Sequence, residues 1–187
     1  TFLAALFFYS IKRYGTANAV PFADLPAALV AGIILPLMLS CLLRLRLTAY
    51  GVILGLVPLA ISFGSATFAL FAGMLFGKHK LAPYVSPKKT VEGSVGGLAG
   101  AVFGLLLVKW IAYGAAGVVY MTYWQVLLFG VLGSVISQIG DLSFSVIKRE
   151  YGIKDYGKLL PGHGGILDRF DSVAFVAPFA WLLFRIL

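Results

Sequence analysis

Apolar positions run along this chain in long blocks rather than in alternation. Uncharged runs cover 19 residues at 25–43, 31 at 47–77 and 31 at 110–140. About 20 apolar residues coiled as a helix cross a bilayer core. The pattern therefore predicts spans at roughly 25–43, one or two within 47–77, and others at 93–113, 118–140 and 172–187, with the tail of one more ending near Ile11. A single helix over 47–77 would be on the order of 45 Å long, against a hydrocarbon core of about 30 Å. Two short spans turning near Ser62-Phe63-Gly64-Ser65 are expected there instead. The expected fold is all-α: one polytopic integral membrane domain over residues 1–187, with about six to seven transmembrane helices.

Within the predicted spans, small residues recur at helical spacing. Gly93, Gly97 and Ala101 form one row, and Gly96, Gly100 and Gly104 another. Such rows let helices approach closely in lipid and read as packing, not chemistry. Pro36 and Pro58 lie inside spans, where neighbours can satisfy the freed carbonyls. The chain opens on Thr1, and its first apolar stretch, Phe2–Ile11, is too short to span. It is expected to be a fragment or processed chain whose upstream spans are missing; a signal-peptide remnant is the weaker alternative, since no small-residue cleavage site follows.

Composition sharpens this picture. Hydrophobic residues make up 60% of the chain and charged ones 12%, against roughly a quarter charged in soluble domains, so an ordinary soluble globule is excluded. The lone Cys41 rules out an intrachain disulfide and a Cys-rich metal site. Fifteen basic against seven acidic residues give a net charge of +8. With 47–77 read as two spans, Arg44, Arg46, Lys78, Lys80, Lys88, Lys89, Lys148, Arg149, Lys154, Lys158 and Arg169 share one side, 11 of the 15 basic residues. Lys12, Arg13, Lys109 and Arg185 take the other. By the positive-inside rule the crowded side is cytoplasmic, so the basic excess first serves topology and no nucleic-acid partner is expected.

Candidate chemistry is confined to two charged stretches, 78–92 and 145–171, which hold 14 of the 22 charged residues, and to the span ends that feed them. The first, a basic loop over 78–92, has four lysines and opens a helix that Thr90 or Ser86 can cap. A multiply charged anion would be held well there; anchoring to anionic headgroups is the equally weighted alternative. The second, over 141–171, sets Asp141, Asp168 and Asp171 among lysines, arginines, Pro161-Gly162 and His163-Gly164-Gly165. Three carboxylates among many cations suggest a divalent ion flanked by phosphate oxygens, because magnesium takes one or two carboxylates plus phosphates and water. Asp168 and Asp171 share a face if the last helix begins near Ile166. Each acidic residue taken alone reads more readily as a helix cap or surface ion pair; it is their number beside Gly-Gly and Pro-Gly in one loop that points to a site. Zinc patterns, a Walker-type loop and a nucleophile elbow are all absent from the sequence. Phosphoryl or nucleotidyl transfer needs none of them, since a phosphate attacker is already an anion.

The residues Ser145-x-x-Lys148-Arg149-x4-Lys154-Asp155-x-Gly157-x2-Leu160-Pro161-x-His163-Gly164-Gly165-Ile166-x-Asp168-Arg169-Phe170-Asp171 match a long and specific signature. It is that of the phosphatidate cytidylyltransferase (CDP-diacylglycerol synthase) family. Gly77-Lys78-His79-Lys80-Leu81-Ala82-Pro83 and Ser86-Pro87-Lys88-Lys89-Thr90-x-Glu92-Gly93 resemble the family's second loop. The resemblance covers most of the chain from about residue 44, as the C-terminal part of a longer fold. It implies magnesium-dependent transfer of CMP from CTP to phosphatidic acid, giving CDP-diacylglycerol and pyrophosphate for phospholipid biosynthesis. It further implies an inner or equivalent membrane, an active site on the cytoplasmic face, contact with membrane lipids and an often dimeric assembly; whether a second, monovalent cation shares the site is left open.

Carried over by motif, Asp141 and Asp168 would bind metal, with Asp171 supporting. Lys148 and Lys154 complete the implied catalytic set. Arg149, His163, Gly164 and Gly165 would meet phosphates, and Ser86, Lys88 and Lys89 would close the pocket from the other loop. One departure stands out: where the family resemblance implies an Asp, an aromatic and a basic residue ahead of Gly77, this chain has Ala66, Leu70 and Met74. A weakened or inactive member that binds lipid or nucleotide is therefore the alternative. A transporter is a third reading, disfavoured because no span carries a line of charges.

Overall fold

The computed structural model describes residues 2–16, 24–117, 119, 121–157 and 165–186. The long apolar runs become long helices because every backbone polar group inside lipid must be satisfied within its own segment. In chain order they are α1 (Phe2–Arg13), α2 (Leu25–Leu29), a π-helical turn (Val30–Ile34) just ahead of Pro36, α3 (Leu35–Arg46), α4 (Gly51–Phe76), α5 (Val91–Ala116), α6 (Tyr123–Glu150) and α7 (Leu167–Ile186). Four helical stretches are long and apolar enough to cross a membrane: Leu25–Arg46, Gly51–Phe76, Val91–Ala115 and Tyr123–Glu150. The fifth long helix, α7, has Asp168, Arg169 and Asp171 ahead of its apolar stretch. It packs against α3, α4 and α6.

Three expectations change. The region 47–77 does not turn at Ser62–Ser65; it is the single 26-residue helix α4. Its polar mid-section faces inward rather than marking a bend. Ser62 and Ser65 are both buried, and Ser65 Oγ lies 2.8 Å from Ser134 Oγ of α6. At 1.5 Å per residue α4 is about 39 Å long, an excess over the core that tilt absorbs. With one span here instead of two, Arg44 and Arg46 fall at the opposite end of the bundle from Lys78 and Lys80, so the sorting of 11 basic residues onto one side does not hold. Among the described residues four helices are long and apolar enough to cross a membrane, so the expected six to seven are not reached there.

The third change is in the basic loop, which is a β-hairpin. Strand β1 (Lys80–Ala82) pairs antiparallel with β2 (Ser86–Thr90), with Lys80 opposite Thr90, Ala82 opposite Ser86, and a register shift between. Thr90 then starts α5, its hydroxyl accepting from Gly93 N at 3.1 Å. Thr122 opens α6 through a reciprocal capping box with Gln125. Helix α6 runs ten residues beyond its predicted end at 140, so Asp141, Ser145 and Lys148 project from one helical face.

Helices α4 and α5 pack antiparallel along the predicted small-residue rows. Gly64 lies against the Gly100 backbone, and a Cβ on Gly104 would come within 2.6 Å of Ala60 O. Backbones this close leave no room for a branched side chain. Gly104→Val is expected to destabilise the bundle by about 1–3 kcal/mol through overpacking, read as a lowered midpoint in detergent unfolding. Around this pair, Val57, Ile61, Leu105, Phe129 and Val176 form the main buried cluster.

Candidate active site

The hairpin, the C-terminal half of α4, the start of α5 and the C-terminal half of α6 enclose a cavity of about 560 Å³ at one end of the bundle, with Ser172 of α7 also on its wall. Three kinds of wall meet in it. The hairpin supplies Lys80, Lys88 and Lys89, and α6 supplies Asp141. Ser65, Ser94, Ser137 and Gln138 add neutral polar groups. Ala66, Leu70 and Met74 of α4 are apolar. All three departures from the expected family pattern thus line this one cavity.

Asp141 is held by Lys89, with Nζ 2.5 Å from Oδ2. One turn deeper, the Gln138 amide nitrogen donates to Ser94 O at 3.1 Å and to Ser134 Oγ at 3.2 Å, while the Ser94 hydroxyl donates to Gln138 Oε1. The amide is therefore fixed in orientation beside the cavity.

A second cluster joins α6, the following loop and α7. Lys148, buried, donates to Asp168 Oδ1 at 2.9 Å. Asp168 Oδ2 accepts from Tyr156 N and Gly165 N, both at 2.9 Å. One carboxylate thus pins both ends of the loop that carries the signature. Burial works to raise the Asp168 pKa, but the Lys148 hydrogen bond and the two backbone N–H groups outweigh it and hold the carboxyl below its ordinary range. The loop ends come together at Gly157 and Gly165, where a Cβ on Gly165 would meet Gly157 N at 2.9 Å. Tyr156, whose hydroxyl donates to Phe144 O at 3.1 Å, has its phenol pushed up to about 12 by burial and then by the charges of Asp168 and Asp171. Asp171 is buried, and its Oδ1 accepts from Ser172 N at 2.6 Å and Ser172 Oγ at 3.0 Å. Burial, and next the charge of Asp141, raise its pKa.

The hairpin is tied down at two points. Glu92, in the first turn of α5, accepts from Lys78 N and His79 N and meets His79 Nδ1 at 2.7 Å. Arg149 donates from Nε to Val85 O at 3.2 Å and from Nη1 to Ile153 O at 3.4 Å, joining the hairpin tip to the end of α6. Glu92→Gln is expected to loosen the hairpin's root, since the neutral amide is a poorer acceptor for three donors. Hydrogen exchange should quicken at the Lys78 and His79 amides while the middle of α5 keeps its protection.

Of the residues singled out from the sequence, Lys88, Lys89 and Asp141 share the cavity wall. Ser86 is in β2; Lys148, Asp168 and Gly165 join at the ends of the signature loop, Asp171 bonds Ser172, Arg149 ties the hairpin tip to α6, and none of these five lines the cavity. Lys154 is exposed in the loop after α6. His163 and Gly164 lie outside the described residues. Ser65, Ser94, Ser137, Gln138 and Ser172 were not among the candidates. The available signal was a Gln and several Ser inside otherwise apolar spans, where polar side chains mark inward faces.

The sequence signature described as the cytidylyltransferase family matches residues 1–187. The phosphatidate cytidylyltransferase of Thermotoga maritima is 40% identical over 121 residues, covering 65% of this chain and 45% of that protein. The phosphatidate cytidylyltransferase of Staphylococcus saprophyticus is 47% identical over 113 residues, 60% of this chain and 41% of that protein. That of Bacillus subtilis is 36% identical over 167 residues, 89% and 60% respectively. The chain thus spans about half the length of these curated relatives. With the family's signature matched from end to end, this chain belongs to the cytidylyltransferase family.

Proposed function

We propose that this chain carries the nucleotidyl-transfer site of a membrane phosphatidate cytidylyltransferase, joining CMP from CTP to phosphatidate. The observation that carries this reading is the cavity itself: lysines and an aspartate on one wall, apolar side chains on another, at the end of a membrane-embedded bundle. A triphosphate suits the cationic wall and the acyl part of a lipid suits the apolar one. In the reaction, a phosphate oxygen of phosphatidate attacks the α-phosphorus of CTP, the α–β phosphoanhydride bond breaks, and pyrophosphate leaves. Lys80, Lys88 and Lys89 hold and orient the polyanions, which is most of what such a transfer asks of side chains. The family resemblance and the basic cluster together favour the cytoplasmic side for this end.

Magnesium belongs to this reading, with its carboxylates supplied singly: among the described residues no three acidic, His or Cys side chains converge as a ready cation site. Each carboxylate implied as a metal ligand carries a lysine ammonium here, Lys89 on Asp141 and Lys148 on Asp168. Asp141 would hold magnesium, Asp168 would join it by exchanging Lys148, and Asp171 would close the acidic side. When bound, the ion neutralises phosphate charge. Equilibrium dialysis with labelled CTP tests the cationic wall. Lys88→Gln with Lys89→Gln is expected to weaken CTP retention at least about tenfold, and unchanged retention would remove the wall from the nucleotide site.

One observation favours a second reading, a member with reduced turnover. Ala66, Leu70 and Met74, at positions where the resemblance implies polar groups, all face the cavity. Ala66→Asp separates the two. Turnover that appears only in the variant supports the reduced-activity reading, and equal turnover in both proteins removes it.

A further inference from the structure

We propose that the end of the bundle opposite the hairpin binds the phosphate of an anionic phospholipid, at Arg44 and Arg185 beside Trp181. The charge distribution makes the first case. All seven acidic residues, Asp24, Glu92, Asp141, Glu150, Asp155, Asp168 and Asp171, sit in the hairpin-end half of the molecule or its loops. The opposite end has Arg44, Arg46, Lys109 and Arg185 and no carboxylate side chain. Lys109 is satisfied internally: Nζ donates to Met121 O at 2.7 Å and sits 3.6 Å from the Tyr123 ring centroid. Arg44, Arg46 and Arg185 have no hydrogen-bond acceptor or carboxylate partner among the described residues.

Geometry makes the second case. A cavity of about 580 Å³ opens between the α3–α4 turn and the last turns of α7, with Arg44, Arg185, Trp181 and Tyr50 on its wall. The guanidinium carbons of Arg44 and Arg185 each lie 5.1 Å from the Trp181 ring centroid. That brings two like charges within about 10 Å of each other, inside one screening length at 0.1 M salt. A guanidinium over a ring keeps N–H groups at its edge free for a phosphate fork. The start of α4 adds to the field, because its N-cap Tyr50 makes no side-chain cap bond and a helix N-terminus is partially positive.

The occupant is a lipid rather than a free anion on two grounds. The cavity lies at the ends of α3 and α7 and the start of α4, the position that headgroups take around a membrane-spanning bundle and where Trp is at home. Leu47 and Phe184 on the same wall offer apolar surface to an acyl chain. The site faces the leaflet opposite the hairpin and is independent of the proposed transfer reaction.

Trp181 reports on its own site once Trp110 and Trp124 are changed to Phe. The full chain in phosphatidylcholine nanodiscs would be titrated with acyl-brominated phosphatidylglycerol or acyl-brominated phosphatidylcholine, and Trp181 quenching measured. The expected result is that the anionic lipid is enriched around Trp181 about fivefold or more over the zwitterionic one. Arg44→Gln with Arg185→Gln should bring that ratio to about one, and Arg44→Lys with Arg185→Lys should keep most of it, since both retain the fold but only the second retains charge. Equal quenching by the two lipids, or enrichment that survives the glutamine pair, would overturn the proposal. So would loss of the enrichment on adding inorganic phosphate at 10 mM-scale excess, which would assign the site to a free anion.

Discussion

Asp168→Asn is expected to abolish transfer and also to weaken the fold. The substitution keeps volume but removes the charge that Lys148 and two backbone N–H groups share. Lys148 has 11% and Asp168 7% of its side chain accessible, so the change strands a buried ammonium. Breaking a buried pair in this way costs roughly 3 kcal/mol or more. A drop in the unfolding midpoint should therefore accompany the loss of turnover. The two effects are separable. Pairing Lys148→Met with Asp168→Leu removes both charges and should recover most of the stability, while turnover stays lost because the signature loop has lost its anchor. Recovery of turnover in the double variant would show that Asp168 acts only through packing. Acid should act similarly: a carboxyl held below its ordinary range contributes stability that is present above that range and is lost only as pH falls through the lowered value.

Asp141→Asn is expected to show the opposite division. Asp141 has 36% of its side chain accessible and faces the cavity, so removing its charge should leave the unfolding midpoint nearly unchanged. Turnover should fall about 10²–10³-fold, the usual cost of losing one electrostatic contributor at the reacting centre. The magnesium concentration for half-maximal activity should rise as well. Asp141→Asn that kept full turnover with an unaltered magnesium dependence would remove α6 from the site.

The contrast between these two aspartates was only half visible in the chain. Asp168 belongs to the signature that opens at Ser145, and Asp141 lies four residues ahead of it at the end of an uncharged run, so both stand out by residue identity and spacing. Their different jobs depend on contacts the linear pattern does not contain: Lys148 lies 20 residues from Asp168, and Lys89 comes from a hairpin on the far side of α5. The same holds for the fold. The spans and the Thr90 cap follow from local composition, and the glycine rows of α5 announced a close helix contact. Ser62–Ser65 misled because a polar patch in an apolar run suits either a turn or an inward face. The choice is made by Ser134, 69 residues away. The hairpin was hidden for a related reason: β1 is three residues long, too short for alternation to register, and its root is held by Glu92 from the next helix.

Ala66, Leu70 and Met74 show the reverse. As sequence they were departures at three positions of one helix; the cavity gives them a common apolar wall.

The most direct test follows the phosphorus atoms. The purified chain would be given magnesium, phosphatidate in nanodiscs, and CTP labelled in separate reactions at the α- or the γ-phosphate. The α-label is expected to pass into the lipid fraction and the γ-label to be released as pyrophosphate, with both requiring phosphatidate. Label from neither position in these products, with an active relative assayed alongside, or γ-label in the lipid, would contradict the proposed transfer.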